Sequence, residues 1–343
     1  MTEPITQKTL ARLAGVSQKT VHLALNGASG VSKATRQKVR QLAAERGYRL
    51  NAAASAMRSQ ATRHIGLAVR PPPRGPLTHM TAYETILGAD AALAEAGYLS
   101  CLVRLTDLTP DHSSRVFNEV LLDGMIVIDQ LPKAFVEPIQ SIARHCVWTE
   151  ANVWNPTHCI RRDELWAGSL IGDHLAERGV RNIVWVGWAP TMLGSVVKTH
   201  YSFSLRLRGL HKAARRGGMT VVELPTSGMT GDELVDALVQ SATRPDTAIV
   251  TYNSQTAIMV MNRLSRRRLV AGEDYSLASC DGTRREDVYL PDLARVTFDR
   301  HALGEAAGRM MLASIQGRTE ECASRMVRGE WVEGATLRFV SGA

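Results

Sequence analysis

The chain is poor in aromatic residues, with five Phe, six Trp and seven Tyr among 343. It has no run of about 18 apolar residues, which excludes an ordinary membrane-spanning helix. Its five cysteines, Cys101, Cys146, Cys159, Cys280 and Cys322, form no CxxC pair. An odd and scattered set argues against a disulfide framework and suits a reducing compartment. There is no Walker loop, no G-x-G-x-x-G and no G-x-S-x-G, so common nucleotide-binding and hydrolase signatures are missing. The ten histidines show no metal-ligand spacing, and neither a metal nor another cofactor is expected. Ser195 and Lys198 match Ser-x-x-Lys, but that short pattern stands without its companion motifs and is read as chance. The first ten residues are polar and lack the apolar core of a signal peptide, so a cytoplasmic location is expected.

Charge is present, and it is unevenly placed. Residues 1–63 hold eleven Lys/Arg and two acids, Glu3 and Glu45, a net +9. The remaining 280 residues hold 30 Lys/Arg and 31 acids. A small basic module joined to a neutral body is the footprint of a nucleic-acid binder. A solvated basic surface would look the same by charge alone.

The pattern within that module is more specific. Thr6 suits a helix N-cap, and the helix it opens runs to about Ala14, with Leu10, Leu13 and Ala14 on one face. Gly15 marks its end. Ser17 caps a second helix, Gln18 to Leu25, that turns Val21, Ala24 and Leu25 inward. Asn26-Gly27 ends it. Ser32 caps a third helix from Lys33 to Arg46, closed by Gly47. Two short helices joined by a Gly-containing turn, with a third in support, make a helix-turn-helix. In that motif the second helix enters the major groove with its N-terminal residues on base edges. Here those residues are Ser17, Gln18, Lys19 and His22. Gln pairs twice with adenine, and Lys donates to guanine.

TLARLAGVSQKTVHLALNG, from Thr9 to Gly27, resembles the helix-turn-helix signature of the LacI family of bacterial regulators. VSKATRQKVRQLAAERGYRLNAAASAMRS, from Val31 to Ser59, resembles the third helix and hinge of that family. The resemblance implies Gln18 and Lys19 as the main base-reading residues. It implies DNA-facing positions for Thr6, Ser17, Thr20, His22 and Asn26, and backbone or hinge contacts for Tyr48, Asn51 and Arg58. His22-Leu23 stands where the family usually has Ser-Arg, so the operator preference should differ from the common one. The alanine-rich stretch 51–63 corresponds to a hinge that becomes helical on the operator, with Met57 where the family normally places a leucine wedge. Read without the resemblance, the same stretch is a linker. The expected domains are therefore a helix-turn-helix domain at 1–50, a hinge at 51–63 and an effector-binding and dimerisation domain at 64–343.

Beyond residue 63, apolar strand patterns alternate with helical ones. Strands are expected at 64–70, 98–104, 124–128 and 145–149, separated by helices at about 82–96, 112–122 and 133–143. A second series follows, with helices at 164–178, 201–216, 231–241 and 254–267 and strands at 182–187, 219–224, 247–252 and 275–280. Such alternation implies parallel sheets covered on both faces, and two series imply two lobes. The body resembles periplasmic sugar-binding proteins and the LacI regulatory domain. Ligands in such folds bind beyond the carboxyl ends of the strands. Candidate effector contacts are therefore Arg70, Glu150, Asn253 and Asp281, each just after a strand. By resemblance, Arg206 in SLRLRGLHKA also faces the ligand, and Trp148 and Phe298 offer apolar faces to a sugar ring. Each of these has a structural alternative: Arg206 and Asp281 as an internal pair, Asn253 as a helix cap, Trp148 as core. Arg70 with Arg206 hints at an acidic or phosphorylated sugar, and the prolines of 71–76 are expected to stay extended.

The function expected is that of a DNA-binding transcription regulator, a repressor acting as a cytoplasmic, nucleoid-associated homodimer on near-palindromic operator DNA. A small carbohydrate-like effector would control it, and no membrane is involved. A solute-binding protein of the periplasmic sugar-binding type, or a pathway enzyme fused to a DNA-binding module, are the alternatives.

Overall fold

The computed structural model describes residues 5–25, 29–48, 61–69, 80–105, 122–131, 133–187, 200–225, 229–282 and 292–339. These divide into two units, one up to Thr62 and one from Arg63 onward.

The first unit is three helices: α1 (Gln7–Ala14), α2 (Gln18–Leu25) and α3 (Lys33–Glu45). Each begins where a hydroxyl satisfies an otherwise orphaned backbone N–H. Thr6 accepts from the Thr9 amide at 3.2 Å, Ser17 from Thr20 at 3.0 Å and Ser32 from Thr35 at 3.1 Å. α1 stops at Gly15, whose φ of 70° is the left-handed conformation that glycine adopts without a Cβ clash. Leu10, Ala11, Ala14, Val21, Ala24, Val39 and Ala43 form the core, with Tyr48 packed against it. Leu13, expected to face inward, is 39% exposed, and Ala11 takes the buried position. The helix is only eight residues long, so a shift of one position in its face costs little.

The second unit holds two six-stranded sheets. The first lobe carries β1 (His64–Val69), α4 (Met80–Glu95), β2 (Leu99–Arg104), β3 (Gly124–Ile128), α5 (Val136–Ile142), β4 (Cys146–Thr149) and β5 (Cys159–Arg162). The chain then crosses into the second lobe with α6 (Glu164–Glu177), β6 (Asn182–Val186), α7 (Tyr201–Gly217), β7 (Thr220–Glu223), α8 (Gly231–Ala242), β8 (Thr247–Thr251), α9 (Ser254–Ser265), β9 (Ser276–Gly282) and β10 (Ala294–Thr297). It returns to the first lobe as α10 (Arg300–Ile315) and β11 (Arg325–Val327), and crosses a last time to β12 (Glu330–Val332). Strand order is β11-β5-β4-β3-β1-β2 in one sheet and β12-β10-β9-β8-β6-β7 in the other. The pairs are parallel except β10 with β12.

The alternation expected from sequence is present wherever it falls on described residues. The expected helix at 112–122 lies almost wholly outside them. The elements expected from sequence end near residue 280 and do not include β10, α10, β11 and β12, nor the short β5. These are the segments that carry the chain between the lobes. α10 is buried on most sides, with Leu303, Ala307, Met310, Met311, Leu312 and Ala313 all covered, so it lacks the one-sided stripe by which a helix is recognised.

Each lobe is closed by a helix pair that crosses through glycine. In the first lobe a Cβ on Gly88 of α4 would lie 1.9 Å from the His301 carbonyl, and one on Gly304 of α10 would lie 2.0 Å from that of Thr85. In the second, a Cβ on Gly168 of α6 would meet the Arg206 carbonyl at 2.1 Å, and one on Gly209 of α7 the Leu165 carbonyl at 2.4 Å. In both pairs one partner is a helix that has just crossed from the other lobe. Close backbone approach thereby ties the first two crossings, into α6 and into α10, to the lobes they enter.

Candidate DNA-contact face and interlobe site

In the first unit, the Ser17 hydroxyl caps α2 and also pairs with the Thr20 hydroxyl at 2.8 Å. Thr20 is thus held by the cap. Gln18 and Lys19, the first two residues of the helix, are exposed, as is Thr6, while His22 is half-buried. The buried Val21 and Ala24 turn the opposite side of the same helix onto the core. A capped helix end with an amide and an ammonium side chain in solvent is a shape suited to base edges and phosphates. Tyr48 is half-buried against the three-helix core. Asn26, Asn51, Met57 and Arg58 lie outside the described residues.

In the second unit, the carboxyl ends of the strands bring together a buried ionic network. Asp281, on β9, sits among three guanidiniums. It receives Arg206 Nη2 at 2.8 Å, Arg162 Nη1 at 2.7 Å and Arg300 Nη2 at 2.6 Å. Burial alone pushes its carboxyl up, but the three guanidiniums prevail and hold it well below the usual carboxylate range. Glu164, the first residue of α6, takes Arg206 Nε at 2.7 Å and Nη2 at 2.9 Å in a forked pair. Arg206 Nη1 completes its set on the Tyr252 carbonyl at 2.6 Å. Arg162 pairs with Glu150 through Nε and approaches Glu164 at 3.2 Å. Three arginines face three carboxylates, all buried.

A second set of contacts spans the lobes where α7 begins. His200 Nε2 lies 3.0 Å from the Glu150 carbonyl and 3.4 Å from Asp129. The Tyr201 amide donates to Asn152 Oδ1 at 2.9 Å, and the Arg161 guanidinium lies 4.8 Å from the Tyr201 ring centre. Asp129 and Glu150 have φ of 69° and 55°. Left-handed backbone at non-glycine residues is strained and concentrates at functional positions. Among the described residues, Thr149 Oγ1, Trp185 Nε1 and Tyr201 Oη are buried near these strand ends without a hydrogen-bond partner.

Of the residues expected from sequence, Glu150, Arg206 and Asp281 come together in one network, and the Arg206–Asp281 pair left open as an alternative is present. Asn253 caps α9, accepting from the Thr256 amide at 3.0 Å. Trp148 is 3% exposed in the first-lobe core and Phe298 is 1% exposed in that of the second. The Phe298 ring lies 5.4 Å from the Arg162 guanidinium, so a protein cation, rather than a sugar, occupies that face here. Arg70, residues 71–76 and the Ser195–Lys198 motif lie outside the described residues. The hint of an acidic ligand loses one of its two arginines, because the Arg206 charge is balanced by Glu164 and Asp281. Sequence reasoning missed Arg162, Glu164, Arg300, His200 and Tyr201. Arg161-Arg162-Asp163-Glu164 reads as a solvated charge run, and nothing local reveals that two of its members are buried. Among the described residues there is no cluster of His, Cys, Asp or Glu fit for a metal ion, and no helix long and apolar enough to cross a membrane.

A helix-turn-helix unit followed by two α/β lobes, with a polar site at their strand ends, defines a regulator built on a periplasmic-binding-protein-like body. Residues 6–51 match the family described as bacterial regulatory proteins, lacI family, and residues 172–337 match the periplasmic binding protein-like domain. The chain thus carries a helix-turn-helix domain of the lacI family ahead of a periplasmic binding protein-like domain. Similar proteins include the transcriptional repressor PurR of Vibrio atlanticus, 25% identical with 98% of this chain and 99% of that protein covered. The lactose operon repressor of Escherichia coli K12 is also 25% identical, with 92% and 86% covered. Among solved structures, a lac repressor dimer bound to operator and the anti-inducer ONPF has the same fold, with a TM-score of 0.76, 21% identity and 98% and 100% covered. A complex of the transcriptional regulator CelR with cellobiose matches with a TM-score of 0.63, 20% identity and 97% and 100% covered. The relatives named here are regulators of transcription.

Proposed function

We propose that this chain represses transcription as a cytoplasmic homodimer on a near-palindromic operator, and that a small molecule held between its two lobes sets its operator affinity. The observation that carries the reading is the Ser17-capped α2, which presents exposed Gln18 and Lys19 from a region of net charge +9. The body would act as a ligand-gated switch and not as a catalyst. A sugar or sugar derivative is the effector favoured by likeness, since the CelR structure holds cellobiose. Neutral hydroxyl-bearing ligands also suit a site whose buried arginines and carboxylates already balance.

Operator selection tests the DNA reading. Binding of full-length protein to a randomised operator library should yield a symmetric consensus. Lys19→Ala should relax preference at one base position in each half-site, costing about 1–3 kcal/mol of discrimination there. An unchanged base preference removes Lys19 from direct readout. A uniform loss across all sequences makes it a phosphate contact instead.

A further inference from the structure

The interlobe network contains a guanidinium site that the chain fills with its own side chain. Arg162 ends β5, the last strand before the chain first leaves the first lobe. It is 6% exposed. Each of its three nitrogens goes to a different carboxylate: Nε to Glu150, Nη2 to Glu164 at 3.2 Å and Nη1 to Asp281 at 2.7 Å. Glu150 follows β4 of the first sheet, Glu164 opens α6, and Asp281 belongs to β9 of the second sheet. The ring of Phe298 lies along one side of the guanidinium. Carboxylates in three directions with an aromatic ring beside them match a planar, three-cornered cation. An ammonium is a compact point charge and reaches fewer such partners at once.

The grouping is costly to assemble. Burying charge in a low dielectric offsets most of the Coulomb gain, so such a network is poor evidence of added stability. What it does supply is geometry, because Arg162 meets Asp281 only when the two sheets are at one relative setting. We propose that Glu150, Glu164 and Asp281 form a guanidinium-binding subsite at the crossing between the lobes, and that Arg162 occupies it as a built-in ligand that holds the lobes together without any effector. A ligand shifts a two-state equilibrium only by its differential affinity for the two states. A tethered ligand acts at high effective concentration and biases that equilibrium permanently. An effector at the outer contacts of His200 and Tyr201 would then act on lobes that are already drawn together. The proposal concerns lobe closure alone, and its test needs no DNA, so its failure is separable from failure of operator recognition.

The test uses the full chain with Arg162→Gly, assayed by thermal melting, solution scattering and calorimetric titration with methylguanidinium, against methylammonium at matched ionic strength. The variant should melt below wild type and scatter as a more open particle. It should take up one methylguanidinium per chain, about tenfold more tightly than methylammonium, a discrimination of about 1.4 kcal/mol. Bound methylguanidinium should return both the melting temperature and the scattering toward wild type, and wild type itself should bind none. Scattering and melting equal to wild type, or equal response to the two cations, overturns the proposal. If the glycine variant does not fold, Arg162→Lys serves the same end. A lysine that reproduces wild-type melting and compaction shows that charge alone is needed and overturns the guanidinium site, whereas a lower melting temperature and a more open particle support it.

Discussion

His145 and His158 show how position changes the chemistry of a side chain. His145 Nδ1 lies 2.9 Å from Ser314 Oγ, and His158 Nε2 lies 3.1 Å from the same oxygen. They stand at the amino ends of β4 and β5, away from the strand ends that carry the interlobe network. Burial lowers both histidines below their ordinary value, and for His145 the neighbouring His158 and Arg144 lower it further while Asp123 opposes. The folded chain therefore holds fewer protons on this pair than the unfolded chain, whose histidines titrate near about 6.5. Stability from this source is present above that value and is lost as pH falls through the lowered folded values. The urea midpoint should decline between about pH 7 and pH 5.5, a window above ordinary carboxylate titration. A His145→Gln, His158→Gln double variant should show a flatter decline. An identical slope in variant and wild type would place the titrating groups elsewhere. The Cys146 thiol stays inert by the same logic: burial, with Cys159 adding to it, pushes it up to about 12, far from a thiolate at neutral pH.

Among the elements, the helix pairs that receive the crossings are the most exacting. α4 and α10 approach through Gly88 and Gly304, and α6 and α7 through Gly168, Gly172 and Gly209. Here glycine serves for its lack of volume, since a methyl group would run into the facing helix, into its backbone at Gly88, Gly304, Gly168 and Gly209 and into the Ala213 methyl at Gly172. Gly304→Ala should cost about 1–3 kcal/mol or more by overpacking, read as a lower denaturant midpoint with an unchanged m-value. Gly231→Ala is the control, because among the described residues its Cβ would meet Arg263 Nη1 alone, at 3.3 Å, and that flexible end can move aside. Equal midpoints for the two variants would mean that the α4–α10 crossing has slack. The forked Glu164–Arg206 pair adds a second tie between α6 and α7, so the second lobe grips its incoming helix by both packing and charge.

At the scale of the whole molecule, assembly decides how the binding face is used. Tyr83 and Leu87 lie one turn apart on α4 and are 47% and 40% exposed. The neighbouring edge strand β2 exposes Leu99 and Leu102, at 64% and 60%. Exposed apolar groups on α4 and on β2, which ends its sheet among the described residues, suit a symmetric contact between two copies. Leu87→Arg should shift the sedimentation coefficient of the full chain toward the monomer. It should also weaken binding to a two-half-site operator much more than to an isolated half-site, since a dimer engages both halves at once. A variant that stays dimeric would move the contact to another face.

Much of this protein was legible in the order of its residues. Thr6, Ser17 and Ser32 as caps, Gly15 as a stop and the buried positions of α2 and α3 are local matters, decided within a turn or two of helix. The charge step at residue 63 is equally plain, and so is the β/α alternation, because a strand buried on both faces must be written in apolar residues. Leu13 was misjudged because an eight-residue helix carries too little pattern to set its face. The interlobe site was half visible. Strand-end positions pointed to Glu150, Asn253 and Asp281, and a family likeness pointed to Arg206. What local pattern cannot carry is the pairing of residues far apart in the chain. Arg162 finds Asp281 at a separation of 119 residues, and Arg206 finds Glu164 at 42. A buried arginine and a solvated one are the same letter until a carboxylate from another strand arrives to balance the charge. Likewise, α10 does not announce itself, because a first-lobe helix buried over most of its surface leaves only the narrow polar strip of His301, Glu305 and Arg309 to betray its period. Tertiary structure decided which charges are internal, where the chain crosses and which side chains tie the lobes, because each of these depends on the energy of contacts that form only when distant segments meet.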